Sequence, residues 1–241
     1  MCVAAIAWTA HPRWRLAVIG NRDEFHDRPA APLARWDDGT IAGRDLEASG
    51  TWLGVNAQGR LALVTNYRVD GFPRPGAPSR GSLVTDWLAG RAPGEVAAMN
   101  PFHLAEVSTD GAWHRSNYPA PVRTSLSPGI HGLSNGGFED RWSKTLQLEA
   151  VLADWLATDA DDIAPLLAAL RDETPHPLPS SGAGPLAGFS PVFIANPVYG
   201  TRCSSVFLIG HDGEARAFER SFYRDGAAIG DVDIRFRVDN N

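Results

Sequence analysis

The sequence predicts an α+β domain, and three observations support this prediction. Short apolar runs of strand length open the chain within residues 2–24 and close it within residues 191–222. Two stretches with helical spacing of apolar residues, 139–157 and 159–170, lie between them. Turn-forming Gly, Asp and Pro residues separate the runs. Strands at both ends with helices between them indicate two stacked sheets flanked by helices.

Length and composition indicate one globular domain over residues 1–241. Hydrophobic residues make up 44% of the chain and charged residues 21%, which is ordinary for a globular protein. The net charge of -6 and the lack of a basic block argue against a nucleic acid partner. The two cysteines are far apart, and there is neither a secretory signal nor an apolar run of membrane-spanning length. We therefore expect a cytoplasmic protein without a membrane span.

The first strand pair is expected to place a cysteine beside a charged cluster. Residues 2–9 and 15–21 predict two strands with a short turn between them, and such strands usually pair antiparallel. With the turn between these strands, the numbers of two residues that face each other across the pair sum to about 24–25. This register puts Cys2 beside Arg22 or Asp23.

A cysteine at this position has the properties of an N-terminal nucleophile. Cysteine is small enough for removal of Met1, which would free the α-amine of Cys2. That amine, with a reference pKa of about 7.7–8.0, can act as a base near neutral pH. A neighbouring Arg22 favours the thiolate, and Asp23 can hold the amine in place. If Met1 is retained, the amine lies in a peptide bond and cannot act as a base, and the site is then a remnant or a thiol used for binding. A buried cysteine can also be a small packing residue.

The middle of the chain adds strands and helices in a regular order. Turn residues and prolines predict loops, and Ser79 is a candidate cap for the helix that follows it. The predicted elements are a loop at 25–50, a hairpin of 51–56 with 60–66, a Pro/Gly loop at 69–79, helices at 80–88 and 94–99, and a hairpin of 102–108 with 111–116.

The last third of the chain holds the two longer helices and the closing strands. A Pro-, Gly- and Ser-rich stretch at 172–190 predicts a loop over a site. The remaining predicted elements are a Pro-rich stretch at 119–129, a strand at 130–135, the helices at 139–157 and 159–170, and strands at 191–195, 203–210 and 214–222.

Three polar side chains stand where predicted strands end or begin. Asn66 and Asn135 follow apolar runs, and Arg202 precedes one. An asparagine amide supplies two N–H donors that suit a developing oxyanion. An asparagine at a strand end can also be a turn residue, and an arginine there can be a solvated surface group. The seven histidines show no metal-ligand spacing, so no metal site is predicted.

Six short motifs, in order along nearly the whole chain, resemble the NRDE family, also called the transport and Golgi organisation 2 family. That family in turn resembles N-terminal nucleophile hydrolases of the penicillin acylase and bile salt hydrolase type. The motifs are Met1-Cys2, Asn21-Arg22-Asp23-Glu24, Leu63-Val64-Thr65-Asn66-Tyr67-Arg68, Ser79-Arg80-Gly81, Gly132-Leu133-Ser134-Asn135 and Tyr199-Gly200-Thr201-Arg202.

The resemblance implies a four-layer αββα sandwich and a set of site residues. Asn66 resembles the strand-end asparagine of the bile salt hydrolase oxyanion hole, Asn135 its second asparagine, and Arg202 its late arginine. The hydrolases carry an Arg-Asn-x-Asp order after the first hairpin. Here the order differs, so Asp23 and Glu24 remain alternatives for the site acid.

Two functions follow as expectations. The first is an N-terminal cysteine amidohydrolase that cleaves a small amide and needs no cofactor, with catalytic residues Cys2, Arg22, Asp23, Asn66, Asn135 and Arg202 and ligand contacts from Asn21, Glu24 and His26. The second is a non-catalytic binding or trafficking protein for haem or a lipid-related ligand, which the resemblance suggests. A haem iron could take Cys2 or His26 as its axial ligand.

Overall fold

The chain forms two antiparallel sheets with helices on both outer sides. A computed structural model describes residues 2–139, 141–158, 161–177 and 187–239. The six-stranded sheet has the order β10-β1-β2-β11-β12-β13. Its strands are β1 (Cys2–Trp8), β2 (Trp14–Phe25), β10 (Gly129–Leu133), β11 (Tyr199–Gly210), β12 (Glu214–Phe222) and β13 (Ala228–Arg237).

The seven-stranded sheet follows chain order from β3 to β9, because each strand pairs antiparallel with the next. Its strands are β3 (Ala30–Arg35), β4 (Ile41–Asp45), β5 (Leu53–Val55), β6 (Leu61–Asn66), β7 (Phe102–Ser108), β8 (Gly111–Ser116) and β9 (Val122–Ser125). The described helices are α1 (Gly81–Leu88), α2 (Ser143–Ala157) and α3 (Ala164–Leu170), with single 3-10 turns at Val96–Ala98 and Ala187–Phe189.

Strand β1 shows how the layers stack. Successive side chains of a strand point to opposite faces. Cys2 and Ile6 belong to the apolar cluster between the two sheets, whereas Val3 and Ala5 pack in the cluster that contains α2 and α3. A third cluster joins α1 to the outer face of the seven-stranded sheet. The layer order is therefore helices, sheet, sheet, helix, and the predicted αββα sandwich is confirmed.

Several predicted elements are confirmed and others are displaced. The pairing of β1 with β2 and the hairpin of β7 with β8 are present as predicted. The helix expected at 94–99 is a single 3-10 turn, and those expected from 139 and 159 begin at Ser143 and Ala164. Within the loop expected at 172–190, residues 178–186 lie outside the described residues.

The loop predicted at 25–50 is wrong in part, because it contains β3 and β4. Pro32 fits in β3 because β3 is an edge strand, where a missing N–H donor costs no ladder bond. The strand expected at 191–195 is also absent. That segment is instead a buried connection, in which the Ile194 N–H donates to Thr201 Oγ1 at 2.9 Å. Strands β9 and β13 had no counterpart in the sequence prediction.

Within the described part of the chain, no helix has the length and apolar character needed to cross a membrane.

Candidate active site

The register of the first hairpin brings Cys2 directly opposite Arg22. Opposed residues of an antiparallel pair point to the same face, so both side chains lie between the two sheets. Cys2 retains 8% exposure and lines a cavity of about 350 Å³ at the end of the sandwich. We call this space the Cys2 cavity; its walls include Cys2, Arg22, Asp23, Glu24, Asn66 and Arg80.

The end of β2 divides the Asn-Arg-Asp-Glu motif between two faces. Asn21 is fully buried on the helix side, where its Nδ2 donates to the carbonyls of Leu170 at 2.8 Å and Val192 at 2.9 Å. Its Oδ1 accepts a hydrogen bond from Ser204 Oγ at 2.6 Å. Asn21 therefore ties β2 to the end of α3, and it does not line the Cys2 cavity.

Asp23 is buried beside the thiol and is held by strand β11. Thr201 Oγ1 donates to its Oδ1 at 2.7 Å, and the Tyr199 hydroxyl donates to its carbonyl at 2.7 Å. Burial raises the pKa of Asp23, and the positive charge of Lys144 opposes that rise. Lys144 is fully buried at the start of α2, and its Nζ donates to the Phe189 carbonyl at 3.2 Å. The sequence analysis gave Lys144 no role, and nothing in its local pattern marks it.

The Cys2 thiol has a raised pKa, which favours its protonated form. Burial raises its pKa, the negative charge of Asp23 acts in the same direction, and Arg22 opposes both effects. Arg22 favours the thiolate as expected, but desolvation has the larger effect on the pKa. A nucleophilic Cys2 needs a base to accept its proton.

An ion-pair network forms the wall opposite Cys2. Arg22 Nη2 lies 3.3 Å from Asp45 Oδ2, and Arg28 Nε donates to the same oxygen at 2.7 Å. Arg28 also pairs with Glu47. Burial would raise the pKa of Asp45, but the hydrogen bond and charge of Arg28 hold it below its usual value. The sequence analysis missed Arg28 and Asp45, because it predicted a loop at 25–50 and so did not predict β4, the strand that positions Asp45.

The two asparagines at strand ends have different positions. Asn66 ends β6 and lines the Cys2 cavity. Asn135 is fully buried behind it, and its Nδ2 donates to the Asn66 carbonyl at 2.7 Å. The Arg68 N–H in turn donates to the Asn135 carbonyl at 2.8 Å. Asn135 thus fixes the backbone that carries Asn66.

Three other predicted residues differ in whether they line the Cys2 cavity. Glu24 lines the Cys2 cavity, while Arg202 lines a neighbouring cavity of about 240 Å³. Arg202 Nη1 donates to the carbonyls of Phe25 at 2.8 Å and Arg28 at 3.0 Å. His26 Nε2 lies 2.8 Å from the Asn196 carbonyl and does not line the Cys2 cavity.

The structure therefore brings five of the nine predicted residues to one cavity, namely Cys2, Arg22, Asp23, Glu24 and Asn66. Arg80 lines the same cavity and was predicted only as part of a family motif. Over the described ranges, no three His, Cys, Asp or Glu residues are grouped as metal ligands would be. A thiol, a buried carboxyl group and an asparagine amide around one cavity are the groups that acyl transfer requires.

Comparison with known protein families gives one match over most of the chain. The family model described as "Transport and Golgi organisation 2" matches residues 1–224. A transport and Golgi organization protein 2 homolog of Bos taurus is 33% identical, over 92% of this chain and 93% of the relative. The Homo sapiens homolog is 32% identical over the same shares of the two chains.

Two solved structures have a similar fold. A mutant conjugated bile acid hydrolase from Clostridium perfringens superposes with a TM-score of 0.55 at 9% identity, over 100% of this chain and 97% of the other. The Caenorhabditis elegans ortholog of N-acylethanolamine-hydrolyzing acid amidase has a TM-score of 0.50 at 13% identity, over 86% of this chain and 92% of the other. At these identities the likeness establishes the fold.

Proposed function

The chain belongs to the Transport and Golgi organisation 2 family and has the fold of N-terminal nucleophile hydrolases, and we propose that it is an amidohydrolase whose nucleophile is Cys2. One observation carries the proposal: Cys2 lies opposite Arg22 in a cavity that Asp23 and Asn66 also line. The solved relatives are named as hydrolases of conjugated bile acids and N-acylethanolamines. We propose for this chain only the shared chemistry, cleavage of a carbon–nitrogen amide bond.

The reaction requires Cys2 to be the first residue. Once Met1 is removed, the α-amine of Cys2 takes the thiol proton while the sulfur attacks the amide carbonyl carbon. The same proton passes to the leaving nitrogen as the carbon–nitrogen bond breaks, which leaves a thioester on Cys2. Water then attacks the thioester, releases a carboxylic acid and restores the thiol.

The surrounding residues have distinct roles in this scheme. Asn66 supplies amide donors for the oxyanion, and Asn135 positions Asn66 through its carbonyl. Asp23, buried beside Cys2, orients the freed amine; Thr201 holds Asp23 by a hydrogen bond, and the positive charge of Lys144 favours its carboxylate form. Arg22 stabilises the negative charge that forms on sulfur, because it is opposed to Cys2 in the ladder. Of the two candidate acids, Asp23 suits the amine better, because Glu24 Oε1 accepts the Phe25 N–H.

Acyl-enzyme trapping tests the proposal. We expect intact mass spectrometry to find Cys2 as the first residue, and p-nitrophenyl butanoate to add one butanoyl group to it. Cys2→Ala should abolish the adduct, and Asn66→Ala should slow its formation about a hundredfold to a thousandfold. Cys203→Ser is the matched control and should leave the adduct in place. A retained Met1, or an adduct that survives Cys2→Ala, would overturn the proposal.

The haem-binding expectation stays a prediction. His26 pairs with a carbonyl outside the Cys2 cavity, so the described residues do not bring it and Cys2 to one space. Haem titration followed at the Soret band, with Cys2→Ala as the comparison, tests this expectation independently of hydrolysis.

A further inference from the structure

Among the described residues, one arginine of the Cys2 cavity has no carboxylate at ion-pair distance. Arg22 and Arg28 both pair with Asp45, Arg28 also pairs with Glu47, and Arg22 lies 4.0 Å from Glu24. No carboxylate within the described ranges lies at ion-pair distance from Arg80. Its one hydrogen bond there runs from Nη1 to the Pro101 carbonyl at 3.2 Å. An arginine stays charged at all ordinary pH values, so Arg80 brings a cation to the cavity wall, where the charge of Glu24 acts on it without a direct ion pair.

The start of α1 adds to this positive character. Arg80 occupies the N-cap position of α1 with no side-chain cap, and the first turn of α1 contains no acidic residue. Gly81, the first residue of the helix, lines the Cys2 cavity. The Gly81 N–H donates to Ser79 Oγ at 3.3 Å and the Leu83 N–H donates to the Arg80 carbonyl at 3.1 Å, so the helix dipole is what makes this end favourable for an anion.

The loop before β5 fixes the start of α1 against the cavity. A Cβ atom placed on Gly50 would come within 2.7 Å of the Gly81 carbonyl carbon, so only glycine permits this approach of the two backbones. A Cβ on Gly81 would lie 3.2 Å from the backbone N and O of Thr51. The cationic end of α1 therefore has one defined position relative to Cys2.

Arg22 is a second arginine of the cavity wall, and its hydrogen bonds are incomplete. Its side chain lines the same cavity and the residue retains 9% exposure. Its Nη1 atom is buried and has no hydrogen-bond partner among the described residues. A buried cationic N–H without an acceptor is costly, and a bound anion would remove that cost.

We propose that Arg80, Arg22 and the N-terminal turn of α1 form a subsite for an anionic group of the substrate, which makes the substrate class a carboxylate-bearing amide. This inference rests on the amidohydrolase function proposed above and adds the feature that selects the substrate. The cavity also holds the carboxylates Glu24, Asp45 and Glu47, of which Asp45 and Glu47 pair with Arg28 and Glu24 lies 4.0 Å from Arg22. Among the described residues, Arg80 is the cavity arginine without a carboxylate at ion-pair distance.

Matched substrates measure the charge preference. One pair is N-butanoylglycine and N-butanoylglycinamide, which differ in a carboxylate on the amine side. A second pair, N-glutarylmethylamine and N-pentanoylmethylamine, places the carboxylate on the acyl side. We expect a preference for the charged member of one pair, and the pair that shows it assigns the subsite to one half of the substrate. No preference in either pair would overturn the subsite.

The preference is the ratio of the kcat/KM values of the charged and the uncharged substrate of a pair. Arg80→Met should reduce this ratio about tenfold or more, mainly by raising KM for the charged substrate. Arg80→Lys should restore part of it, because it keeps the charge without the guanidinium fork. Arg91→Met is the matched control, because Arg91 lies beyond the other end of α1 and pairs with Asp86. An unchanged ratio in Arg80→Met would overturn the subsite while leaving hydrolysis intact.

Binding to the Cys2→Ala variant separates the two proposals. We expect calorimetry to detect N-butanoylglycine or N-glutarylmethylamine, with affinity that falls as salt rises and is lost in Cys2→Ala/Arg80→Met. If no amide acylates Cys2 but this binding persists, the hydrolase proposal fails and the anion subsite stands. If all probes bind Cys2→Ala equally with and without Arg80, the subsite fails.

Discussion

Two buried polar clusters of this sandwich differ in how completely their groups are paired. One is the Cys2 cavity. The other, here called the histidine pair, lies in the seven-stranded sheet, where His103 Nδ1 is 3.0 Å from His114 Nε2 and His103 Nε2 is 2.9 Å from the Gly136 carbonyl. Both histidines are buried, at 3% and 5% exposure. The first cluster leaves donors available for a ligand, and the second uses its donors internally.

The hydrogen bonds of the histidine pair fix its tautomers. The Gly136 carbonyl can only accept, so His103 Nε2 carries a proton. In a neutral His103 the Nδ1 atom is then an acceptor, and His114 Nε2 must be the donor. His114 also stacks on Phe138, with ring centroids 4.0 Å apart and planes at 9°. The pair thus connects the sheet to the segment that follows Asn135.

The comparison suggests how to separate structural from functional polar groups in this fold. A closed cluster contributes to stability, because removing one member leaves its partners unsatisfied. A cluster with an unpaired cation, such as Arg80, contributes little to stability and retains affinity for an external group. The following predictions use the free energy of unfolding to test this distinction.

The largest effect is expected from His103→Ala. The substitution leaves the Gly136 carbonyl and the His114 N–H buried without partners and opens a cavity, so we expect a loss of about 3–4 kcal/mol. Urea denaturation measures it. His211→Ala, at an exposed histidine, is the control and should change the free energy by less than about 0.5 kcal/mol. A loss below about 1 kcal/mol for His103→Ala would show that the pair is not structural.

A smaller effect is expected from mild acid. Burial lowers the pKa of His103 to about 4. Burial, together with the neighbouring His103, lowers the pKa of His114 to about 3. In the unfolded chain both titrate near the usual value of about 6.5. The unfolded state therefore binds protons first as pH falls, and the folded state loses stability below about pH 6.5.

Between about pH 7 and about pH 5.5 the two histidines together should cost about 2 kcal/mol. Urea denaturation at several pH values measures this loss. The double variant His103→Phe/His114→Phe should lack it, whereas His211→Ala should retain it. The same pH dependence in the double variant would assign the acid sensitivity to other groups.

More of the fold than of the candidate site could be predicted from the sequence. The position of the turn between β1 and β2 set their register to within one residue: the prediction was Arg22 or Asp23 opposite Cys2, and the structure has Arg22. From that register, side chains alternate between the two faces of β2. The same alternation sends Asn21 to the helix side, which a motif considered as one unit does not reveal. Local pattern fixes which face a residue occupies when its strand is regular and buried.

The missed parts depend on contacts between distant segments. Asp45 lies at the end of β4, a short strand with turn residues on both sides, so its approach to Arg22 had no local signal. Lys144 reaches Asp23 only because α2 packs across β1, and a lysine near a helix start is normally exposed. Arg80 had a motif, but the structure was needed to show that no carboxylate of the described residues pairs with it.

The smallest effect on stability should come from the Cys2 cavity, where a paired and an unpaired residue can be compared directly. Asp45→Asn removes the carboxylate shared by Arg22 and Arg28 but keeps the shape of the side chain. Because Arg22 is almost buried, we expect a loss of about 1–2 kcal/mol in urea denaturation. Arg80→Met removes a cation that has no acidic partner within the described residues, so we expect a change below about 0.5 kcal/mol.

The difference between these two variants isolates pairing from position, because both residues line the same cavity. Equal losses would mean that Arg80 is a structural cation, and its availability to a ligand would then have no support from stability. If the free energy of unfolding falls measurably in Asp45→Asn and hardly changes in Arg80→Met, then Arg80 contributes little to the stability of the fold. Such a residue is the expected signature of a ligand contact, since the free energy of its interactions is realised only when the anion is bound.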